Sequence, residues 1–443
     1  MTLSVAIVGS GPAGFYAAES LLKSGLDVRI DLIERLPTPF GLVRSGVAPD
    51  HQHTKRVERA YARTAEHADV RFYGHVELGG DLTLNELCGL YDAVVLATGA
   101  PLDRRLGIPG EDKANVFGSG AFVGWYNGHP DYGDLAPDLD VKAAAVVGNG
   151  NVALDIARVL VKTREEMQHG DMPVHAARAI EASPLTDVHV LGRRGPAHAK
   201  FSNAELSEMG KLTDALPILE PPHLPDHAPA GLDERTRRVV EKNLVTFAGF
   251  LDRAPAGEGH RVHFHFWAKP VEVLGAARVE GVRLAETTLD ENGQLVETGR
   301  QHDIACGLLV TAIGYAAPPL AELPFDKRGG HFRHEDGRID QGLYCVGWCR
   351  RGPTGTIGTN KADGDAVARH IVAEVEETGK PGGAGLERLL RERGLRWVNA
   401  QDWHRIDEAE REAAPEGAPR RKFVRVKDML AVLDRSGGAA SKG

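Results

Sequence analysis

The chain has 443 residues, room for two to three domains at roughly 150 residues each. Hydrophobic residues make up 42% and charged residues 26%, the balance of an ordinary soluble globular protein. Lys and Arg number 53 against 62 Asp and Glu, and the resulting net charge of −9 gives a nucleic-acid role no global support.

Residues 5–8 (VAIV) read as a strand buried on both faces. The motif Gly9-x-Gly11-x-x-Gly14 then leads into a helical pattern over 15–22, and residues 28–33 read as a second strand. Together these form a strand–helix–strand dinucleotide fingerprint. Gly9 permits the tight turn, Gly11 lets the backbone approach a pyrophosphate, and Gly14 allows close helix–strand packing, while the helix N-terminus offers amide donors and partial positive charge. Glu34 ends the second strand, where its carboxylate can accept from both hydroxyls of an adenosine ribose and would repel a phosphate.

Residues 35–50 hold three prolines and two glycines, which predicts an extended loop without regular structure. Such a loop would run from the ribose towards a ring system, with Leu42 as an apolar contact. His51 is a candidate beside the ring; a solvated histidine opening a helix over 51–67 is the equal alternative. Strands are expected at 70–73 and 93–97. The second ends in Ala97-Thr98-Gly99, similar to the segment at which two-dinucleotide flavoproteins leave their first domain, and 103–110 reads as a linker.

A second fingerprint follows. The strand 143–148 runs into Gly148-Asn149-Gly150-Asn151-Val152-Ala153 and a helix from 152 to about 167. The next strand, 188–191, ends in Gly192-Arg193-Arg194 in place of an acid. Two guanidiniums there suit a 2′-phosphate by charge and by forked hydrogen bonding, so this site should prefer NADP(H); a solvated arginine pair is the alternative. Helical pattern at 173–181 lengthens the spacing.

A short helix at 203–209 carries Glu205. Residues 217–229 are proline-rich and expected to be exposed. Arg235, Arg237, Arg238 and Lys242 fall at helical spacing, a solvated face or a docking surface for an acidic protein. Alternating stretches from 263 to about 296 (HFHFW, VEVLG, VEGVRLAE) suggest an antiparallel meander. Residues 307–315 should return the chain to the first domain. Residues 343–348 read as a last core strand, 350–359 as a loop rich in Gly and Thr, and 360–377 as a helix. Residues 405–422 are expected to be exposed and the last eight disordered.

Four cysteines, Cys88, Cys306, Cys345 and Cys349, are too few and too scattered for a disulfide framework. Cys345 and Cys349 lack the placement of a redox pair soon after the first fingerprint. With no signal-peptide pattern before residue 5 and no apolar run of the ~18 residues a membrane span requires, a cytoplasmic protein is expected. No metal-ligand cluster of credible spacing is found.

The stretches VGSGPAGFYAA, ERLPTPFGLVRSGVAPDH, VVLATGA, GNGNVALDIAR, LGRRGP and GWCRRGPTGTIGTNKADG resemble the ferredoxin–NADP reductases of the adrenodoxin reductase type along nearly the whole chain. The resemblance implies an α/β fold of two Rossmann-like dinucleotide-binding domains, the NADP domain (104–321) inserted into a discontinuous FAD domain (1–103 and 322–443). It implies FAD contacts at Ala13, Glu34, Leu42 and Trp348 and along Gly355-Thr356-Ile357, with Val76 or Leu78 as a further one. NADP contacts would come from Asn149, Gly150, Asn151, Val152, Arg193, Arg194, Glu205 and Gly355. His51, Asp155 and Glu205 would serve near the two rings, in orientation or proton handling. The implied activity passes electrons from NADPH through FAD singly to a ferredoxin-type iron–sulfur protein, which could feed a haem monooxygenase. A glutamate-synthase-like subunit of a larger electron-transfer complex is the alternative, disfavoured by the lack of an N-terminal cysteine-rich segment.

Overall fold

The computed structural model describes residues 2–219, 224–251 and 259–437. They form two compact units. The first takes in the chain up to Leu102, Asn127–Gly133 and the described residues from Tyr315 onward, and the second comprises Asp103–Tyr126 and Asp134–Gly314. No sequence signal marks the short return at Asn127–Gly133. Among the described residues, no helix is long and apolar enough to cross a membrane.

A six-stranded sheet forms the centre of the first unit, in the order Arg338–Asp340, Leu343–Cys345, Ala93–Leu96, Leu3–Val8, Val28–Glu34, Val70–Gly74. Every pairing is parallel except the hairpin between the first two strands. Because side chains alternate across a strand, Val5 and Ile7 enter one core cluster while Ala6 and Val8 enter the other. A sheet covered on both faces explains the unbroken apolar run that announced it. On one face the helices Pro12–Leu22 and Asn360–Glu374 cross closely: a Cβ on Gly364 would lie 2.8 Å from the Tyr16 carbonyl group, so only glycine permits that approach.

The second unit repeats the plan with an all-parallel sheet, ordered Val116–Gly118, Leu308–Thr311, Ala143–Val147, Asp187–Leu191, His260–His265, Ala215–Leu219. In both sheets the fingerprint strand, Leu3–Val8 or Ala143–Val147, has successive strands on one side and a returning strand on the other. That is the topological switch point at which open α/β sheets bind ligands.

Several local expectations need correction. The first three residues of HFHFW close the parallel strand His260–His265 of the second sheet, and the antiparallel meander is built from Ala268–Leu274, Gly281–Leu289 and Leu295–Ala305. Alternation alone does not distinguish the two pairings. Ala215–Leu219 is a strand despite Pro217, which an edge position tolerates; of the proline-rich stretch, residues 220–223 lie outside the described residues. The helix expected over 51–67 is two short ones, Gln52–Lys55 and Glu58–Ala65. The one expected from 152 to 167 ends at Val161, and Thr163 caps a separate turn, Arg164–Met167. The Pro/Gly-rich loop contains the helix Leu42–Ser45, and Trp348 opens the helix Trp348–Arg351 instead of closing a strand. The helix expected to reach residue 377 stops at Glu374. Residues 405–422 are not uniformly exposed: Asp407, Glu410 and Lys422 are buried because each has opposite charge or backbone acceptors to meet. Of the last eight residues, expected to be disordered, Ser436 and Gly437 close the helix Val426–Gly437, and those from 438 onward lie outside the described residues.

Candidate functional site

In the first unit the three glycines of the fingerprint do different things. Gly9 has φ +109°, and a Cβ there would stand 2.4 Å from the Ala97 carbonyl oxygen. A Cβ on Gly14 would fall 2.0 Å from the Gly9 carbonyl oxygen. Gly11 is the opposite case: its Cβ would meet nothing nearer than Gly41 Cα at 4.0 Å. Gly11 is also the N-cap of the helix Pro12–Leu22, and no side chain caps that end. Open space beside free helix N-terminal amides is the arrangement that accepts a pyrophosphate.

Glu34 is held in place beside this turn. One carboxylate oxygen accepts from the Ser10 amide at 3.0 Å and the Ser10 hydroxyl at 2.8 Å, and the other accepts from the Leu36 amide at 3.1 Å. A carboxylate has about four lone-pair sites, so acceptor capacity remains for ribose hydroxyls. Ser10, wholly buried, was not singled out from sequence; its place between two fingerprint glycines was the available signal.

Other candidate residues gather around the same turn. Ala13 faces Gly347, whose Cβ would lie 2.5 Å from the Ala13 Cβ, which brings Trp348 to the helix start. Trp348 stacks on Tyr315 with centroids 5.8 Å apart and planes 15° apart. Asn360 ties this turn to the next loop, donating to the Ile357 carbonyl at 2.9 Å. Gly355 (φ +84°) and Thr356 are exposed, and Ile357 packs partly against the core. Leu42 is 47% exposed, which leaves its side chain accessible to an apolar ligand. Val76 is buried in the core with its amide donating to the Glu34 carbonyl at 2.9 Å; Leu78 is only partly buried. His51 is buried and precedes the helix Gln52–Lys55.

The second unit repeats the cradle. Gly148 (φ +158°) would place a Cβ 2.4 Å from the Ala312 carbonyl oxygen, whereas one on Gly150 would meet nothing within 4 Å. Gly150 is the uncapped N-cap of the helix Asn151–Val161. Both polar atoms of the Asn149 side chain are shielded from solvent without a hydrogen-bond partner among the described residues. A buried unsatisfied amide costs about 1–3 kcal/mol, a deficit that a bound polar ligand would relieve. The Asn151 side chain accepts from the Ser202 amide at 2.7 Å, and Val152 follows on the helix. Arg193 and Arg194 are exposed at the end of Asp187–Leu191, with the Thr287 hydroxyl donating to the Arg193 carbonyl at 2.8 Å.

Asp155 and Glu205 come together in this unit through a residue absent from the sequence candidates. Arg158, wholly buried, lies 2.8 Å from Asp155, 3.3 Å from Glu205 and 3.5 Å from Glu208. The periodicity of GNGNVALDIAR placed Arg158 one turn beyond Asp155, but nothing local shows that a second helix returns two carboxylates to it.

Cys345 and Cys349 are both buried, and burial pushes both thiols well above their ordinary range. The Cys349 thiol donates to the Val346 and Leu96 carbonyls at 3.1 and 3.2 Å, which requires it protonated.

Comparison with known proteins gives a consistent result. Residues 3–194 match the family described as pyridine nucleotide-disulphide oxidoreductase. The chain is 40% identical over 450 residues to the mitochondrial NADPH:adrenodoxin oxidoreductase of Salvelinus fontinalis, covering 97% of this chain and 90% of that one. It is 37% identical to the NADPH-ferredoxin reductase FprA of Mycobacterium tuberculosis, covering 97% and 98%. The solved structure of the M. tuberculosis protein in complex with NADPH superposes with a TM-score of 0.91 at 36% identity, covering 98% and 99%.

Proposed function

The chain belongs to the family of the NADPH:adrenodoxin oxidoreductases and NADPH-ferredoxin reductases, and from that premise we propose that it oxidises NADPH and reduces a ferredoxin-type iron–sulfur protein through FAD. One observation carries the reading: the chain holds two cradles of the same geometry and opposite charge. The first ends in Glu34, locked by Ser10, and suits the free ribose of FAD. The second ends in the exposed pair Arg193 and Arg194 and suits the 2′-phosphate of NADPH. Bound FAD supplies the ability to accept electrons in a pair and release them singly.

The residues of the chain bind and orient. Gly11 and Gly150 keep the backbone open at uncapped helix ends, Asn149 offers an unsatisfied amide, Leu42 presents apolar surface, and Trp348 is only partly buried. Asp155 and Glu205, fixed by Arg158, and the buried His51 are assigned to orientation or proton handling at the reacting rings. Arg235, Arg237, Arg238 and Lys242 are exposed on the helix Glu234–Leu251, and this basic face suits an acidic iron–sulfur partner. We place the reaction in the cytoplasm, on the ground that all four cysteines are free.

The test is anaerobic stopped-flow absorbance at the flavin band, with NADPH and NADH in separate runs, followed by addition of a ferredoxin and cytochrome c. Rapid bleaching by NADPH and ferredoxin-dependent cytochrome reduction are expected. Bleaching with no transfer to any ferredoxin would move the assignment to a subunit of a larger complex; no bleaching would end the catalytic reading.

A further inference from the structure

Residues 40–45 turn back onto the first fingerprint. The Phe40 amide donates to the Ser10 carbonyl at 2.9 Å, and a Cβ on Gly41 would stand 3.0 Å from Gly11 Cα. This turn therefore borders the backbone that must admit a pyrophosphate, and its exposed Leu42 follows directly.

What holds the turn lies 366 residues further along the chain. Arg44 donates through Nη2 to Glu410 Oε1 at 2.5 Å, with the two side chains 7% and 0% exposed. The same oxygen accepts from the Phe423 amide at 2.8 Å. Lys422, also buried, donates to the carbonyls of Arg44 and Asn127 at 2.9 and 3.0 Å. Trp403 lies under the Arg44 guanidinium at 5.5 Å and meets Phe40 edge-on at 5.8 Å. Arg420 extends the network to Asp407 at 2.6 Å and Glu58 at 3.3 Å. Charge pairing, a backbone anchor and an aromatic contact thus all run from the helix Ala400–Glu412 and residues 420–423 to one short turn.

Burying ions costs several kcal/mol each before their attraction repays it, and an apolar pair of the same volume would often hold two elements together as well. What a hydrogen-bonded ion pair adds is a fixed direction. Fixed direction matters where a backbone must be placed against a ligand, and this backbone touches the open glycine of the cradle.

We infer that residues 400–423 clamp the FAD site, with Glu410 a positioning residue that sets the Phe40–Ser45 turn through Arg44. The inference rests on the assignment of FAD to the first fingerprint. The test compares full-length holoprotein with Glu410→Gln, following FAD release by recovery of flavin fluorescence, the visible flavin band, and NADP+ binding. Release about tenfold faster or more, with a shifted flavin band and unchanged NADP+ affinity, is expected. Release within about twofold of the parent overturns the clamp, as does an equal loss of NADP+ affinity, which would mean general unfolding. If Glu410→Gln does not fold, Lys422→Met is judged by the same criteria. Gly11→Ala separates the two assignments, since its Cβ meets open space in the protein but the approach of a pyrophosphate. Parental FAD retention in that variant would remove the FAD assignment and the clamp together; lost FAD there with parental release from the Glu410 variant removes the clamp alone.

Discussion

Arg158 and Glu205, 47 residues apart, are joined at 3.3 Å with the guanidinium wholly buried. Asp155 and Glu208 converge on the same nitrogen, so this cation meets carboxylates from two helices. Arg158→Met should cost about 3–5 kcal/mol in denaturant unfolding, since it removes a wholly buried cation that three carboxylates approach. A loss below about 1 kcal/mol would mean that water already satisfies them.

Burial pushes the Asp31 carboxyl up to about 6, against a hydrogen bond from Tyr91 at 2.8 Å that acts to lower it. The folded protein thus binds this proton more tightly than the unfolded chain. The residue costs nothing below the unfolded value of 3.8, and its cost grows as the pH rises to about 6, reaching about 3 kcal/mol. Asp31→Asn, which keeps an acceptor for Tyr91, should therefore raise the melting temperature at about pH 8 and give progressively less benefit towards about pH 4. Equal benefit at both ends would refute the burial argument.

Arg193→Ala combined with Arg194→Ala should raise the KM for NADPH about ten- to a hundredfold, as expected for losing charge-assisted hydrogen bonds, and leave the KM for NADH nearly unchanged. Steady-state kinetics with both nucleotides decides it. Equal loss with both would remove the 2′-phosphate assignment.

The thiols should differ sharply in reactivity. Cys88 is half-buried, whereas Cys306, Cys345 and Cys349 are buried, with the Cys306 thiol pushed up to about 12. Titration of the native protein with a disulfide reagent should modify Cys88 first and the others only on unfolding. Replacing both Cys345 and Cys349 with Ser should leave ferredoxin reduction intact; loss of activity with FAD still bound would reopen a dithiol role.

The sequence by itself determined the two cradles and their opposite charges. A glycine forced by a carbonyl 2.0–2.4 Å away, as at Gly9, Gly14 and Gly148, answers to chain close by or to a neighbouring strand end that motif spacing already encodes. The acid at Glu34 and the arginines at 193 and 194 sit at strand ends, where position follows from the strand itself. Only the tertiary structure decided what converges from afar. Whether residues 260–265 pair in parallel or antiparallel depends on which strand arrives beside them, and alternation is the same in both cases. Residues 405–422 carry the composition of a solvated surface, and a charged side chain is buried only where a partner meets it. For Glu410 that partner is Arg44, 366 residues away, and no local pattern records the meeting.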